Sequence, residues 1–185
     1  MADLVTYELD DADVIRRVGG RWEAFARGNG GAHLVAGVLG QTIWDFVGGS
    51  TTRHMYGMLA GRVRQGHPVS FTYRCDSPAM RRYMRMRMLP IEAGGVRFES
   101  ETLMTRAWPA GPRLDRRTRR DEFLTICSWC KKGRLDETWQ EPEVVVERLG
   151  MFIGDAERPI SHAICPSCAE IVEAAIAAAG ARHPA

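Results

Sequence analysis

The sequence contains no long hydrophobic segment, and its first residues are not basic. No apolar run in its 185 residues approaches the roughly 18 residues that a membrane-spanning helix needs. Residues 1–11, MADLVTYELDD, are acidic, whereas a secretory signal begins with basic residues. We therefore expect a cytoplasmic protein without a membrane partner.

The short motifs that mark common catalytic sites are also missing. We find no nucleophile elbow, phosphate-binding loop, HExxH pair or catalytic pair of carboxylates. Within these 185 residues there is also no kinase, cyclase or DNA-binding module of the kind that usually follows a sensor domain. The sequence therefore predicts a protein that is not an enzyme.

The charge distribution indicates how the chain is divided. The composition, with 45% hydrophobic and 26% charged residues, is that of a globular protein, and the net charge is only +2. Residues 113–120 nevertheless hold 5 basic and 1 acidic side chains, whereas residues 121–185 hold 6 and 11. This shift predicts an N-terminal domain of residues 1–108, an arginine-rich linker of residues 109–122 and a C-terminal module of residues 123–185.

Apolar periodicity predicts the elements of the N-terminal domain. The pattern opens with a strand at 14–18, a turn at Gly19-Gly20 and a short helix at 22–27. Apolar residues then recur every three or four positions between Thr52 and Arg64. This spacing predicts a longer helix, which the hydroxyl side chains of residues 50–52 are expected to cap.

Beyond that helix, apolar and polar residues alternate, which is typical of strands with one buried face. The alternation predicts three consecutive antiparallel strands at 69–75, 82–90 and 96–104, and hence an α+β fold. Two outward arginines should face two outward glutamates across the second hairpin: Arg85 and Arg87 against Glu99 and Glu101.

This order of elements and several short motifs resemble a PAS-like sensor domain over residues 5–106. The motifs, which are similar to those of a bacterial PAS group, are the aromatic first helix with Trp22 and Phe25, WDF at 44–46, TRxxY at 52–56, RCDSP at 74–78 with Arg81-Arg82 after it, and FES at 98–100. The resemblance implies a sensing or docking domain that often forms dimers. It also implies a pocket that holds a small molecule, a cofactor or only side chains.

The residues that would line such a pocket are aromatic side chains and methionines, and they serve equally well as ordinary core: Trp22, Phe25, Trp44, Tyr56, Met84, Met86 and Phe98. We expect neither haem nor flavin in it. His54 is followed directly by Met55 of the apolar stripe and should point away from the interior, and the NCRFL motif of light-sensing relatives is absent.

Four of the five cysteines form two CxxC pairs, Cys127/Cys130 and Cys165/Cys168. Two such knuckles supply the four thiolates that a tetrahedral structural Zn²⁺ prefers. A redox-switching dithiol and a site that has lost its metal remain alternatives, and His162 could replace one sulfur. Ser167 and Glu170 have the spacing of a capping box at the start of an apolar-faced helix.

The C-terminal module resembles a segment found after sensor and receiver domains in bacterial signalling proteins. The likeness rests on its two ends, CSWCKKGR at 127–134 and SHAICPSC at 161–168. A knuckle near a hairpin at 127–139, followed by a knuckle that opens a helix, is the arrangement of treble-clef zinc modules. The intervening residues should contain an inserted acidic helix at 141–149.

Together these features predict a non-enzymatic bacterial signalling protein in which a PAS-like domain is coupled to a zinc module. Its partners would be a second copy of the chain or a signalling protein such as a kinase, with a possible small-molecule ligand. One alternative is a thiol redox sensor that uses the two CxxC pairs. Another is a zinc-containing nucleic-acid adaptor that uses the linker, although the acidic C-terminal module argues against a nucleic-acid partner.

Overall fold

A computed structural model of the chain describes residues 4–28, 30–76, 80–107, 124–149 and 160–180. The predicted linker, residues 109–122, lies outside these residues. The strands are β1 (Leu4–Leu9), β2 (Ile15–Gly20), β3 (Val69–Arg74), β4 (Met80–Pro90), β5 (Val96–Ala107), β6 (Leu124–Cys127), β7 (Gly133–Leu135), β8 (Thr138–Gln140) and β9 (Ile160–Ala163). The helices are α1 (Trp22–Gly28), α2 (Leu34–Gly37), α3 (Ser50–Arg64), α4 (Pro142–Leu149) and α5 (Pro166–Gly180). None of these helices is both long and apolar enough to cross a membrane.

The first five strands form one antiparallel sheet in the order β2-β1-β5-β4-β3, which confirms the predicted α+β class. The predicted pairing across the second hairpin is also confirmed. Arg85 lies opposite Glu101 and Arg87 opposite Glu99, with N···O distances of 3.3 and 3.4 Å. The outward face of β4 and β5 is therefore charged, and their alternate residues are buried.

Strand β1 was not predicted from the sequence. It lies between β2 and β5, and its Val5 and Leu9 side chains are buried, with 5% and 1% exposure. The opening of the fold is therefore two strands before the first helix, rather than one. Because its partner β5 follows about ninety residues later in the chain, local periodicity gave little signal for β1.

Helix α3 buries Leu59 and Val63 of the predicted apolar stripe, whereas Met58 is 43% exposed, and the helix begins differently from the prediction. Its N-cap is Gly49, and no side chain caps the helix, so the predicted hydroxyl cap was wrong. Gly49 has φ 80°, and a Cβ there would lie 2.9 Å from the Cβ of His162. A glycine therefore starts α3 where a strand of the C-terminal part approaches closely.

The C-terminal part, residues 124–149 and 160–180, contains a second sheet in the order β8-β7-β6-β9. Strand β9 runs parallel to β6, while β6, β7 and β8 follow one another antiparallel. The predicted acidic insertion is confirmed as α4, which packs on β7. There, Val145 is 2% exposed and lies directly over Gly133.

The contact between α4 and β7 leaves no room for a side chain at Gly133. A Cβ at this position would lie 2.8 Å from Cγ2 of Val145. We expect Gly133→Ala to lower the free energy of unfolding by about 1–3 kcal/mol through overpacking. Val145→Ala added to Gly133→Ala should recover part of that loss. Urea unfolding of the wild type, both single variants and the double variant tests this, and strictly additive losses would contradict it.

The two parts of the chain share one hydrophobic core. Buried residues of α3, of the first sheet and of the C-terminal part belong to a single cluster of contacts. Helix α5 packs against β3, and β9 lies against α3. The C-terminal part is therefore packed on the N-terminal part, residues 4–107, around a common interior.

Candidate metal centre

The four cysteines of the two CxxC pairs meet in one cluster. Their Sγ atoms all lie within 4.8 Å of one another, and Cys130 and Cys165 are separated by 3.6 Å. Four thiolates at about 2.3 Å from a tetrahedral zinc ion would be about 3.8 Å apart. The cluster is therefore compatible with a single metal ion bound by all four sulfurs.

Parallel pairing of β6 with β9 explains why residues so distant in sequence meet. The register places Cys127, at the end of β6, beside Ala163, and the Ser128 N–H donates to the Ala163 carbonyl at 2.8 Å. Cys165 follows two residues later. The sheet thus brings the two knuckles to the same edge.

The first knuckle is a tight turn after β6. The Cys127 N–H donates to the Lys132 carbonyl at 2.8 Å, and the Lys131 N–H donates back to the Cys127 carbonyl at 3.0 Å. The Cys130 N–H points at the Cys127 sulfur, 3.5 Å away. Lys131 adopts a φ of 65°, in the left-handed region, to complete the turn. The turn therefore directs both sulfurs to one side.

The second knuckle opens α5. The N–H groups of Cys168 and Ala169 both donate to the Cys165 carbonyl at 3.0 Å, so the helix begins directly after Cys165. Ser167 consequently lies inside the first turn, and the predicted capping box was wrong. The start of α5 therefore lies beside both Cys165 and Cys168.

Hydrogen bonds within the cluster shift the pKa values of three of its thiols in opposite directions. The thiols of Cys130 and Cys168 lower the pKa of Cys127, because they donate to its sulfur together with the N–H groups of Cys130 and Cys165. The neighbouring Cys127 sulfur raises the pKa of Cys130 to about 12 and also raises that of Cys168. Deprotonation of all four sulfurs at this spacing would require a cation to balance their charge.

The cluster is mostly shielded from solvent. Cys127, Cys165 and Cys168 are 0%, 3% and 6% exposed, and Cys130 is half-buried. His162 is exposed and is not part of the cluster, so sulfur alone surrounds the centre among the described residues. The fifth cysteine, Cys75, also lies outside it, and burial raises the pKa of its thiol.

Trp129, between the two cysteines of the first knuckle, is inserted into the N-terminal part. It is 2% exposed, stacks on Tyr56 of α3 at 5.0 Å and contacts Phe71 of β3 at 5.2 Å between ring centroids. Its carbonyl accepts the Arg74 N–H at 2.7 Å. Both the side chain and the backbone of the knuckle are thus fixed to the first sheet.

Polar contacts surround this aromatic insertion. The Thr52 hydroxyl donates to the Ser128 hydroxyl at 2.6 Å, which joins α3 to the knuckle. The Arg74 guanidinium, 7% exposed, donates to Asp76 at 2.5 Å and to Glu141 of the C-terminal part at 3.0 Å. A charged group so well buried needs both carboxylates, and this network therefore orients the two parts.

The predicted pocket residues fall into two groups. Trp22, Tyr56, Met86 and Phe98 belong to the shared core. The other three lie outside that cluster: Phe25, Trp44 and Met84. Trp44 instead donates its indole N–H to Asp13 at 2.9 Å, and Phe25 lies under the Arg82 guanidinium at 5.8 Å. His54 is exposed.

Sequence reasoning missed two residues of this region. Tyr7 stacks on Phe98 at 4.7 Å, but it belongs to the strand that was not predicted. The sequence marks Trp129 only as part of CSWCKKGR at 127–134, although a large aromatic residue between two clustered cysteines indicates a buried contact. Both residues add aromatic surface to the shared core.

Three tyrosines near the core should make stability fall at high pH. Burial raises the pKa of Tyr73 to about 12 and holds those of Tyr7 and Tyr56 above the ordinary value of 10.0. The unfolded chain then loses these protons first, so stability should be unaffected below pH 10 and decline above it. Urea midpoints measured between pH 9 and 11.5 test this. The decline should be smaller in Tyr73→Phe, and an equal decline in that variant would contradict the assignment.

Comparison of the chain with models of protein families, with curated proteins and with solved structures gave no match.

Proposed function

We propose that the protein is a non-enzymatic regulatory protein of bacterial signalling, in which a PAS-like sensing domain and a structural zinc module work as one unit. The observation that carries this proposal is the position of Trp129. It lies between two of the clustered cysteines and is buried against Tyr56 and Phe71 of the other part. A change in the cysteine cluster therefore displaces a contact of Tyr56 and Phe71, and a change at those two residues displaces the first knuckle.

The donor set supports zinc in a structural role. Thiolates are ligands for zinc in closed, four-coordinate sites, and four protein sulfurs leave no position for water or substrate. A catalytic zinc site keeps such a position open. The ion would therefore hold the two knuckles together and fix Trp129, and it would not take part in a reaction.

The order of elements supports the resemblance of the N-terminal part to a PAS-like domain and of the C-terminal part to a treble-clef zinc module. In the N-terminal part, two strands are followed by short helices, the longer α3 and three consecutive antiparallel strands. In the C-terminal part, a knuckle is followed by the β7-β8 hairpin and later by a knuckle that opens α5, which is a treble-clef-like order. The proposed output is a protein contact, with a second copy of the chain or with a signalling partner such as a kinase.

A thiol redox sensor is the second candidate function. The sulfurs of Cys130 and Cys165 lie 3.6 Å apart, so a small movement would allow a disulfide between the knuckles. Such a sensor would lack bound metal in its reduced form. The nucleic-acid adaptor depends on the arginine-rich linker, which lies outside the described residues.

Hydrogen exchange of the full chain, with and without a zinc chelator, tests the proposed coupling. We expect chelation to increase exchange in residues 124–135 and, through Trp129, also in α3 and β3. Strand β2, at the far edge of the first sheet, serves as the internal reference. Exchange that rises only in the C-terminal part, or in no part, would contradict the proposal.

A further inference from the structure

Charged side chains join helix α4 to the N-terminal part. Glu141, directly before the helix, accepts from the Arg74 guanidinium at 3.0 Å and lies 3.8 Å from the Lys132 ammonium. Glu143, in the first turn, pairs with Arg81 of β4. The Arg74 and Arg81 side chains are only 7% and 16% exposed, so both pairs are partly shielded from water. We call Arg74, Arg81, Glu141 and Glu143 the ionic clamp.

The apolar side of α4 packs into a small hydrophobic cluster that is separate from the shared core. Its buried members are Leu124, Leu135 and Val145, and Ile126 and Leu149 pack against them. The shared core, by contrast, joins α3, the first sheet and both knuckles. Because the small cluster buries little apolar surface, moving α4 away should cost less free energy than opening the shared core.

Helix α4 depends on these contacts for its helical structure. It has 8 residues, and an isolated helix shorter than about 12 residues is marginal in water. The N–H groups of Val144 and Val145 donate to the Glu141 carbonyl at 3.0 and 3.2 Å, and Pro142 follows at the first helical position. The helix therefore starts at the clamp, and weakening the clamp should release it.

We propose that α4 is a releasable helix, and that the surface beneath it is a docking site for an acidic amphipathic helix of a protein partner. This surface combines apolar side chains of β6 and β7 with the guanidinium groups of Arg74 and Arg81. It fits a helix that carries carboxylates at its start and aliphatic side chains in the next turn, as α4 does. A helix without those carboxylates would remove the counter-charges of two well-shielded arginines, which is unfavourable.

This inference rests on the proposed function, because it gives the proposed protein contact a location and a partner chemistry. In the closed state, α4 competes with the partner helix for the same surface. Its covalent attachment gives it a high effective concentration there. The partner therefore binds when the clamp is weakened, and the closed clamp restricts the output of the protein.

Fluorescence anisotropy of the full zinc-loaded chain with a labelled peptide tests the docking site. The peptide carries residues 140–149, QEPEVVVERL, followed by EAAAKEAAAK to support a helix. Val145→Asp places a charge at a position that is 2% exposed, so it should release α4 and leave the surface beneath it intact. We expect this variant to bind the peptide at least about tenfold more tightly than the wild type, in which α4 competes.

A second variant weakens the clamp without changing an apolar contact. Glu141→Gln combined with Glu143→Gln should also bind the peptide more tightly than the wild type. Zinc content is measured for each protein, and the double variant decides the outcome if Val145→Asp loses its zinc.

Two altered peptides supply the matched control for charge recognition. Glutamine at the positions of Glu141 and Glu143 should weaken binding by about tenfold. Glutamine at the position of Glu147, which is exposed in α4, should leave the affinity unchanged.

Equal binding of the peptide to the wild type and to both variants, or binding to none of them, would overturn the docking site. Equal weakening by all three glutamines would overturn it as well. If the exchange experiment above shows coupling while the peptide fails, only the docking site is wrong. If the peptide binds as expected while that experiment shows no coupling, the docking site stands and the proposed coupling is refuted.

Discussion

Substitution of Trp129 by alanine is expected to lower the free energy of unfolding of the whole chain by about 3–5 kcal/mol. Trp129 is one of the largest fully buried side chains, and its removal would leave a cavity between α3, β3 and the first knuckle. Phe71 and Tyr56 are held by their own strand and helix, so they can fill only part of that space. The loss should therefore affect both parts of the protein.

Trp139→Ala is the matched control for this variant. Trp139 belongs to the same part of the chain and packs against the same core, but it is only half-buried. Its removal should cost clearly less than that of Trp129, because less apolar surface is buried there. Trp129→Phe should fall between wild type and Trp129→Ala. Equal losses in Trp129→Ala and Trp139→Ala, measured by urea unfolding, would contradict the proposed insertion.

Substitution of Cys165 by serine is expected to have a still larger effect. The variant should lose its zinc, and a structural zinc site contributes about 10–16 kcal/mol in small modules. Cys165 is 3% exposed and bridges the knuckles, since its N–H points at the Cys127 sulfur 3.4 Å away. We expect residues 124–180 to unfold and the N-terminal part to lose stability with them.

Cys75→Ser is the control for Cys165→Ser, because Cys75 lies outside the cluster. It should retain one zinc per chain and a cooperative unfolding transition. Circular dichroism, zinc content and thermal unfolding of the two variants provide the comparison. A Cys165→Ser protein that keeps its zinc and unfolds like wild type would show that this sulfur is not a ligand.

The sequence predicted those elements that local patterns determine. The apolar stripe of α3, the alternation in β3 to β5 and the charge pairs of Arg85 and Arg87 are all properties of neighbouring residues. The spacing of the CxxC pairs likewise identified the four residues that meet in the cluster. In each case the residues that decide the structure lie close together in sequence.

The features that were missed depend on contacts between distant segments. Strand β1 is defined by its pairing with β5, and the start of α3 at Gly49 by the approach of His162. The burial of Trp129 depends on surfaces of α3 and β3 that precede it by more than fifty residues. A pattern within one segment could not show that the C-terminal part packs into the core of the other.

The metal content of the untagged protein, purified without chelator, is the direct test of a structural zinc bound by the four clustered cysteines. We expect one zinc per chain and four of the five cysteines protected from a thiol reagent under native conditions. After unfolding in the presence of a chelator, all five should react. Protein that contains no zinc, with the four clustered thiols freely titratable in the native state, would contradict a structural zinc site.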